Sequence, residues 1–426
     1  MNHFGLSVFI SCSILLASAV GDTGLSGNWT GFRGPTGQGH AENVNPPLTW
    51  SETKNIVWKT AIPGEGWSSP VVYEGSVYVS KARLDEDNNP SSLRLIRLDA
   101  ESGDIVWNKQ ALPWSGPSPK RGNNTHANPT PVAENGRIYV HFGHMGTACL
   151  DTNGTVVWQQ QELLYGPRHG NGGSPVLVGD KLIFSADGSP EPFVVALSKQ
   201  TGEVVWKTMR NADDPRDVHS FSTPCVVEYD GQTQIISPGS GIVGAYDAKD
   251  GREIWRLNYG QGYSVVPCPA VGQGKVFVSS GYGDHKLYAI RLGGAGDVTE
   301  THVAWETRSG APKVVSPLYL DGNLYMLAEN GTLRCLDAAT GALHWQERLG
   351  GQFFASPVYA KGRLYMLNQR GTMWVLKPGE KAEILAENSL DEQAFATPAF
   401  AHNAVFIRTR DHLYRIEEAS EIAKKQ

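Results

Sequence analysis

Three histidines, His126, His169 and His219, each stand four to six residues ahead of a proline that follows a hydroxyl residue, in Thr130-Pro131, Ser174-Pro175 and Thr223-Pro224. Imidazoles arriving from three neighbouring units could meet as metal ligands, as an acid/base cluster or as hydrogen-bonding groups at a rim. Arg168, Arg216, Asp217, Asn124 and Asn171 sit beside them and make this sector the most polar of the repeated loops. Trp67, Phe221, Phe354 and Phe395 stand three residues before a proline of the same kind, and Tyr263 lies in the corresponding stretch of another unit. Such rings either offer stacking faces to a sugar, a peptide or a flat small molecule, or cap a hydrophobic core. The expected ligand site comprises His126, His169, His219, Arg168, Arg216, Asp217, Trp67, Phe221 and Tyr263, with the histidines as hydrogen-bonding groups rather than metal ligands. No residue takes a catalytic role in this reading.

What positions these residues is a repeat. Ser69-Pro70, Thr130-Pro131, Ser174-Pro175, Thr223-Pro224, Cys268-Pro269, Ser316-Pro317, Ser356-Pro357 and Thr397-Pro398 each open an apolar run, a glycine turn and a second apolar run. Their spacing, roughly 40 to 60 residues, is that of propeller blades. Each copy reads as four short strands. Proline opens the first without removing an interior ladder bond, and Asp-Gly or Asn-Gly turns link the next. Tryptophan recurs on the fourth strand, four residues after a glycine, at Gly103/Trp107, Gly154/Trp158, Gly202/Trp206, Gly251/Trp255 and Gly341/Trp345, with Trp305 ending the longer fifth copy. These tryptophans are expected to wedge between stacked sheets. The eighth copy runs into a charged tail without its tryptophan strand, while Asn55 to Thr60, with Trp58, carries the missing pattern near the amino end. The predicted fold is therefore all-β, an eight-bladed β-propeller of four-stranded antiparallel blades in which an N-terminal strand closes the last blade.

Composition bounds the function. The 426 residues carry a net charge of −6, which argues against nucleic acid as the partner, since phosphate binding needs a basic surface. Phe4 to Val20 is uncharged, apolar or small and polar, and holds the small residues Ala17-Ser18-Ala19 near its end, the pattern of a cleaved export signal. The expected organisation is a signal peptide over 1–21, an extension over 22–54, one propeller over 55–416 and a charged tail over 417–426. The product would be a periplasmic or secreted monomer without a transmembrane segment. Cys149, Cys225, Cys268 and Cys335 remain after cleavage, and all four read as buried small hydrophobes.

The phrase Ser-Pro, apolar run, Gly, apolar run, Leu-x-x-Leu-Asp-x-x-Thr-Gly-x-x-x-Trp resembles the pyrroloquinoline quinone (PQQ) repeat of quinoprotein dehydrogenases and of BamB-like outer-membrane assembly lipoproteins. Phe32-Arg33-Gly34-Pro35, Arg291-Leu-Gly-Gly-Ala-Gly-Asp297 and Val303-Ala-Trp305 are similar to secreted PQQ-like propellers. The resemblance implies the fold. A quinoprotein would also need adjacent cysteines and a calcium-holding Glu/Asn/Asp set, and the chain has no Cys-Cys pair. PQQ binding is thus unsupported by the residues. The leading expectation is a non-catalytic binding or scaffold module that takes a protein, peptide or carbohydrate at its channel mouth. A PQQ- or metal-dependent oxidoreductase and a BamB-like assembly factor are the alternatives.

Overall fold

The computed structural model describes residues 27–166, 168–213 and 217–419, so the leader read from residues 1–21 and most of the tail lie outside the described residues. Eight antiparallel sheets form a β-propeller. Blade 6 illustrates the unit: Leu318–Leu320, Asn323–Leu327, Thr332–Asp337 and Leu343–Arg348 succeed one another from the channel outward. In blade 8 the inner three strands are Ala399–Ala401, Ala404–Arg408 and His412–Ile416, and the outermost is Ile56–Ala61. Ile56 pairs with Ile416 and Trp58 with Arg415, as the missing tryptophan strand predicts.

The repeated residues now acquire individual tasks. Each glycine that precedes a tryptophan in sequence serves the tryptophan of the preceding blade in space. Trp158 of blade 2 lies over Gly202 of blade 3, where an added Cβ would come within 2.5 Å of the indole and where φ is +76°. The Trp158 indole N–H also donates to the Lys199 carbonyl at 2.9 Å, and Trp58, Trp107, Trp206, Trp305 and Trp345 make the same bond to the next blade's turn. Trp255 departs from this pattern. It is fully buried with its N–H unpaired, because the strand Gly296–Asp297 pairs alongside it in place of a neighbouring turn.

The hydroxyl before each proline also works between blades. Thr130, Ser174 and Thr223 accept the backbone N–H of Ser69, Thr130 and Ser174 in turn, and Ser316, Ser356 and Thr397 accept those of Cys268, Ser316 and Ser356. A buried N–H without such a partner would cost about 1–3 kcal/mol. The belt is interrupted where Cys268 replaces the hydroxyl. Cys149, Cys225, Cys268 and Cys335 are all buried free thiols.

The segment ahead of the closing strand has no counterpart in the repeat. Residues 27–41 cross the channel and dock on the second residue after the motif proline of blades 1, 2, 5, 6 and 7. Trp29 exchanges backbone bonds with Val72, Thr30 accepts from Ala133, Gln38 accepts from Val271, His40 bonds to the Tyr319 carbonyl and Gly39 accepts from Tyr359. Arg33, fully buried at the centre, donates to the carbonyls of Gln38 and Pro317 at 3.0 and 2.8 Å. Phe32-Arg33-Gly34-Pro35 is thus the turn of a plug.

Candidate functional site

Above the plug, the channel mouth opens into a cavity of about 610 Å³ to which all eight blades contribute. Phe32 is its floor. The belt hydroxyls Ser69, Thr130, Ser174, Thr223, Ser316, Ser356 and Thr397 encircle its base. Trp67, Phe221, Tyr263, Tyr282, Phe354 and Phe395 form the wall, and several are locked against one another. Phe395 packs at 4.5 Å from Trp67 and 5.0 Å from Phe354 between ring centres, and the Trp67 indole N–H donates to the Asn123 carbonyl at 2.9 Å. A cavity of this size, walled by rings and carrying a few polar groups, has the character of a small-ligand site.

The rim is polar and, among the described residues, lacks carboxylates. Arg121, Asn123, Asn124 and His169 line it, and Asn124 donates to the His169 carbonyl at 2.8 Å. His169 packs against Phe221 at 6.1 Å. Burial, with Arg121 and Arg168 nearby, pushes its pKa below the ordinary imidazole value, so the ring is neutral at neutral pH.

A second cavity of about 360 Å³ adjoins the first and shares Trp67, Asn123, Asn124 and Phe395 with it. Lys120, Glu65, Arg410 and Asp411 line this annex, and Lys120 pairs with Glu65 at 3.3 Å. The Trp67–Phe395 stack is the shared wall.

Of the residues expected at the site, Trp67, Phe221, Tyr263 and His169 line the main cavity. His126 and His219 are built into the walls. His126 is 2% exposed, with Nδ1 on the Glu65 carboxylate and Nε2 on the Ser118 carbonyl at 2.9 Å. His219 has Nδ1 on Asp217 and Nε2 on the Gly166 carbonyl at 3.0 Å. With both nitrogens engaged, neither faces the cavity alongside His169. Asp217 also accepts the Val218 backbone N–H at 2.7 Å and Arg168 at 2.6 Å, which fixes this loop. Arg216 lies outside the described residues. Among the described residues no group of three or more His, Cys, Asp or Glu is arranged to hold a metal ion.

Sequence reasoning missed Arg121, Asn123 and Tyr282, which follow no repeat grammar, and it missed the floor at Phe32. The belt hydroxyls were visible as the motif itself in every copy but the one opened by Cys268. Their closeness to a ligand space follows only once the ring closes.

Comparison with known proteins agrees with this architecture. The family described as outer membrane protein assembly factor BamB matches residues 47–186, 113–317 and 295–383 in overlapping segments. The methanol dehydrogenase [cytochrome c] subunit 1 of Methylorubrum extorquens is 28% identical over 154 residues, 30% of this chain and 22% of that subunit. The chain thus corresponds to about a fifth of that relative's length. BamB from Moraxella catarrhalis superposes with a TM-score of 0.59 at 14% identity, over 85% of this chain and 99% of its own. The quinohemoprotein alcohol dehydrogenase ADHIIG from Pseudomonas putida HK5 gives 0.62 at 10% identity, over 93% and 81%. At such identities the two structures speak for the fold alone. No helix among the described residues is long and apolar enough to cross a membrane.

Proposed function

The chain belongs to the PQQ-like β-propeller family, and from that premise we propose that it is an exported, non-catalytic binding module whose ligand enters the cavity above the Phe32 plug. The observation that carries this reading is the cavity itself, about 610 Å³ with a closed floor, a wall of six aromatic rings and a polar rim. With Phe32 as floor, a ligand entering from the mouth passes the polar rim on its way in. Quinone-dependent oxidation is less well supported by the donor set. The lining contributes no carboxylate to ligate a calcium ion and one guanidinium, Arg121, to face a quinone bearing several carboxylates. The assembly role named in the family's description would engage a protein surface.

The test is a binding screen on the mature protein, read by tryptophan fluorescence and by melting temperature, with neutral and acidic oligosaccharides, short peptides and PQQ as probes. A ligand of the cavity should raise the melting temperature by mass action, and its effect should vanish in Trp67→Ala/Phe395→Ala. Probes that act equally on the wild type and on this variant would place binding elsewhere and remove the proposal.

A further inference from the structure

Resting on that reading, we infer that the cavity is built for an acidic oligosaccharide, a chain of sugar rings carrying a carboxylate or sulfate, which extends across the Trp67–Phe395 wall into the annex.

The belt hydroxyls supply the first argument. Thr130, Ser174, Thr223, Ser316, Ser356 and Thr397 each accept one backbone N–H, are at most 6% exposed and line the cavity base. A hydroxyl carries one donor proton besides its acceptor lone pairs, and none of these six spends that proton on a protein acceptor among the described residues. The base is therefore a ring of O–H donors. Arg121 adds further donors at the rim, where no carboxylate partners it among the described residues. With no Asp or Glu in the lining among the described residues, the cavity offers far more donors than charged acceptors, although the chain as a whole carries a charge of −6. The complement is a ligand rich in oxygen acceptors and bearing negative charge.

The aromatic wall supplies the second. Aromatic rings that line a mouth stack against the C–H surfaces of sugar rings, while hydroxyl donors and Asn123 meet the oxygens. A flat polycarboxylate would find one guanidinium for several charges.

The shared wall supplies the third. Two cavities that have Trp67, Asn123, Asn124 and Phe395 in common suit a ligand of linked units, one ring held over the belt and the next crossing the indole into the annex. The annex balances Lys120 and Arg410 against Glu65 and Asp411, so the acidic ring belongs in the main cavity beside Arg121.

The experiment is calorimetric titration of the mature protein with a glucuronate trisaccharide, with the glucose trisaccharide of the same linkage, with PQQ and with a tripeptide. Melting curves accompany each variant. The expected result is that the acidic trisaccharide binds and the neutral one binds at least about tenfold more weakly. Arg121→Gln should then cost the acidic sugar about 10- to 100-fold, the loss of one charge-assisted hydrogen bond, and bring the two sugars level, whereas Trp67→Ala should weaken both. Equal binding of the two sugars, or no change in Arg121→Gln, overturns the acidic assignment. Binding of PQQ or the tripeptide alone, lost in Trp67→Ala, overturns the carbohydrate assignment and leaves the binding-module reading standing. If none of the four probes binds in a manner sensitive to Trp67→Ala, both readings fall.

Discussion

Lys81 is a buried cation without a hydrogen-bond partner among the described residues. It stands on the strand Ser76–Leu84 of blade 1 and is 1% exposed. Burial and the neighbouring Arg408 lower its pKa to about 6, against the weaker opposing pull of Asp411 and Glu65. The folded state thus gives up a proton that the unfolded chain keeps between about pH 6 and the ordinary lysine value near 10.5. Stability should rise with pH through that window, and below about pH 6 the cost is fully present. Lys81→Met is expected to raise the melting temperature most at pH 6 and progressively less toward pH 10, as read from melts at one-unit intervals. A pH-independent gain would show that Lys81 keeps its proton in the folded state as it does in the unfolded chain, so that burial does not lower its pKa. A second residue-scale test concerns the interlock of blades 2 and 3. Trp158→Ala should cost roughly 3–5 kcal/mol, as large aromatic truncations in cores do. Gly202→Ala should cost roughly 1–3 kcal/mol in denaturant melts by forcing a side chain against the indole at positive φ. A neutral Gly202→Ala would mean that Trp158 packs elsewhere.

At the scale of elements, the plug is the part that the repeat does not require. Removing residues 27–41 deletes the floor at Phe32 and the buried Arg33 while retaining the closing strand, so the ring should still melt in one transition but at a lower temperature. Ligands that raise the melting temperature of the full protein should lose most of that effect, because the cavity becomes an open channel. Unchanged ligand response in this deletion would show that Phe32 is no part of the site. The plug also marks where the sequence stopped being legible. Strands and turns were readable because the residue-Pro opening, the glycine turns and the tryptophan strand are local grammar that recurs around the ring, and Trp58 was readable as a piece displaced from its end. Residues 27–41 contact partners from 43 to more than 300 positions away, as with Trp29 and Val72 or Gly39 and Tyr359, and no local pattern encodes such pairings. The histidines fell between these cases. Their positions before the proline were correctly noted, but a loop of that length can turn either way. Glu65 and Asp217 turn His126 and His219 into the wall and leave His169 at the rim.

Across the whole molecule, one strand decides whether eight sheets behave as one body. Ile56–Ala61 pairs with His412–Ile416, and the clasp is reinforced by Glu417 N–H on the Asn55 carbonyl at 2.9 Å and by Tyr414 Oη on Glu52 at 3.1 Å. Trp58 packs 6.0 Å from Phe406 and donates to the Ala100 carbonyl of blade 1, so the same strand joins blade 8 internally and to its neighbour. Deleting residues 27–62 would strip the plug and leave the edge of His412–Ile416 unpaired, an exposed template for association. The ring would also lose the blade 8 to blade 1 contact that couples its ends. We expect this truncation to lose the single cooperative melt and to aggregate on heating, in contrast with deletion of 27–41 alone. A peptide of residues 27–62 added in trans should restore a concentration-dependent transition, since the clasp is non-covalent and stabilises by mass action. If the truncated chain melts once, at the temperature of the full protein and without the peptide, ring closure contributes nothing to its cooperativity and the eight blades are held by nearest-neighbour contacts alone.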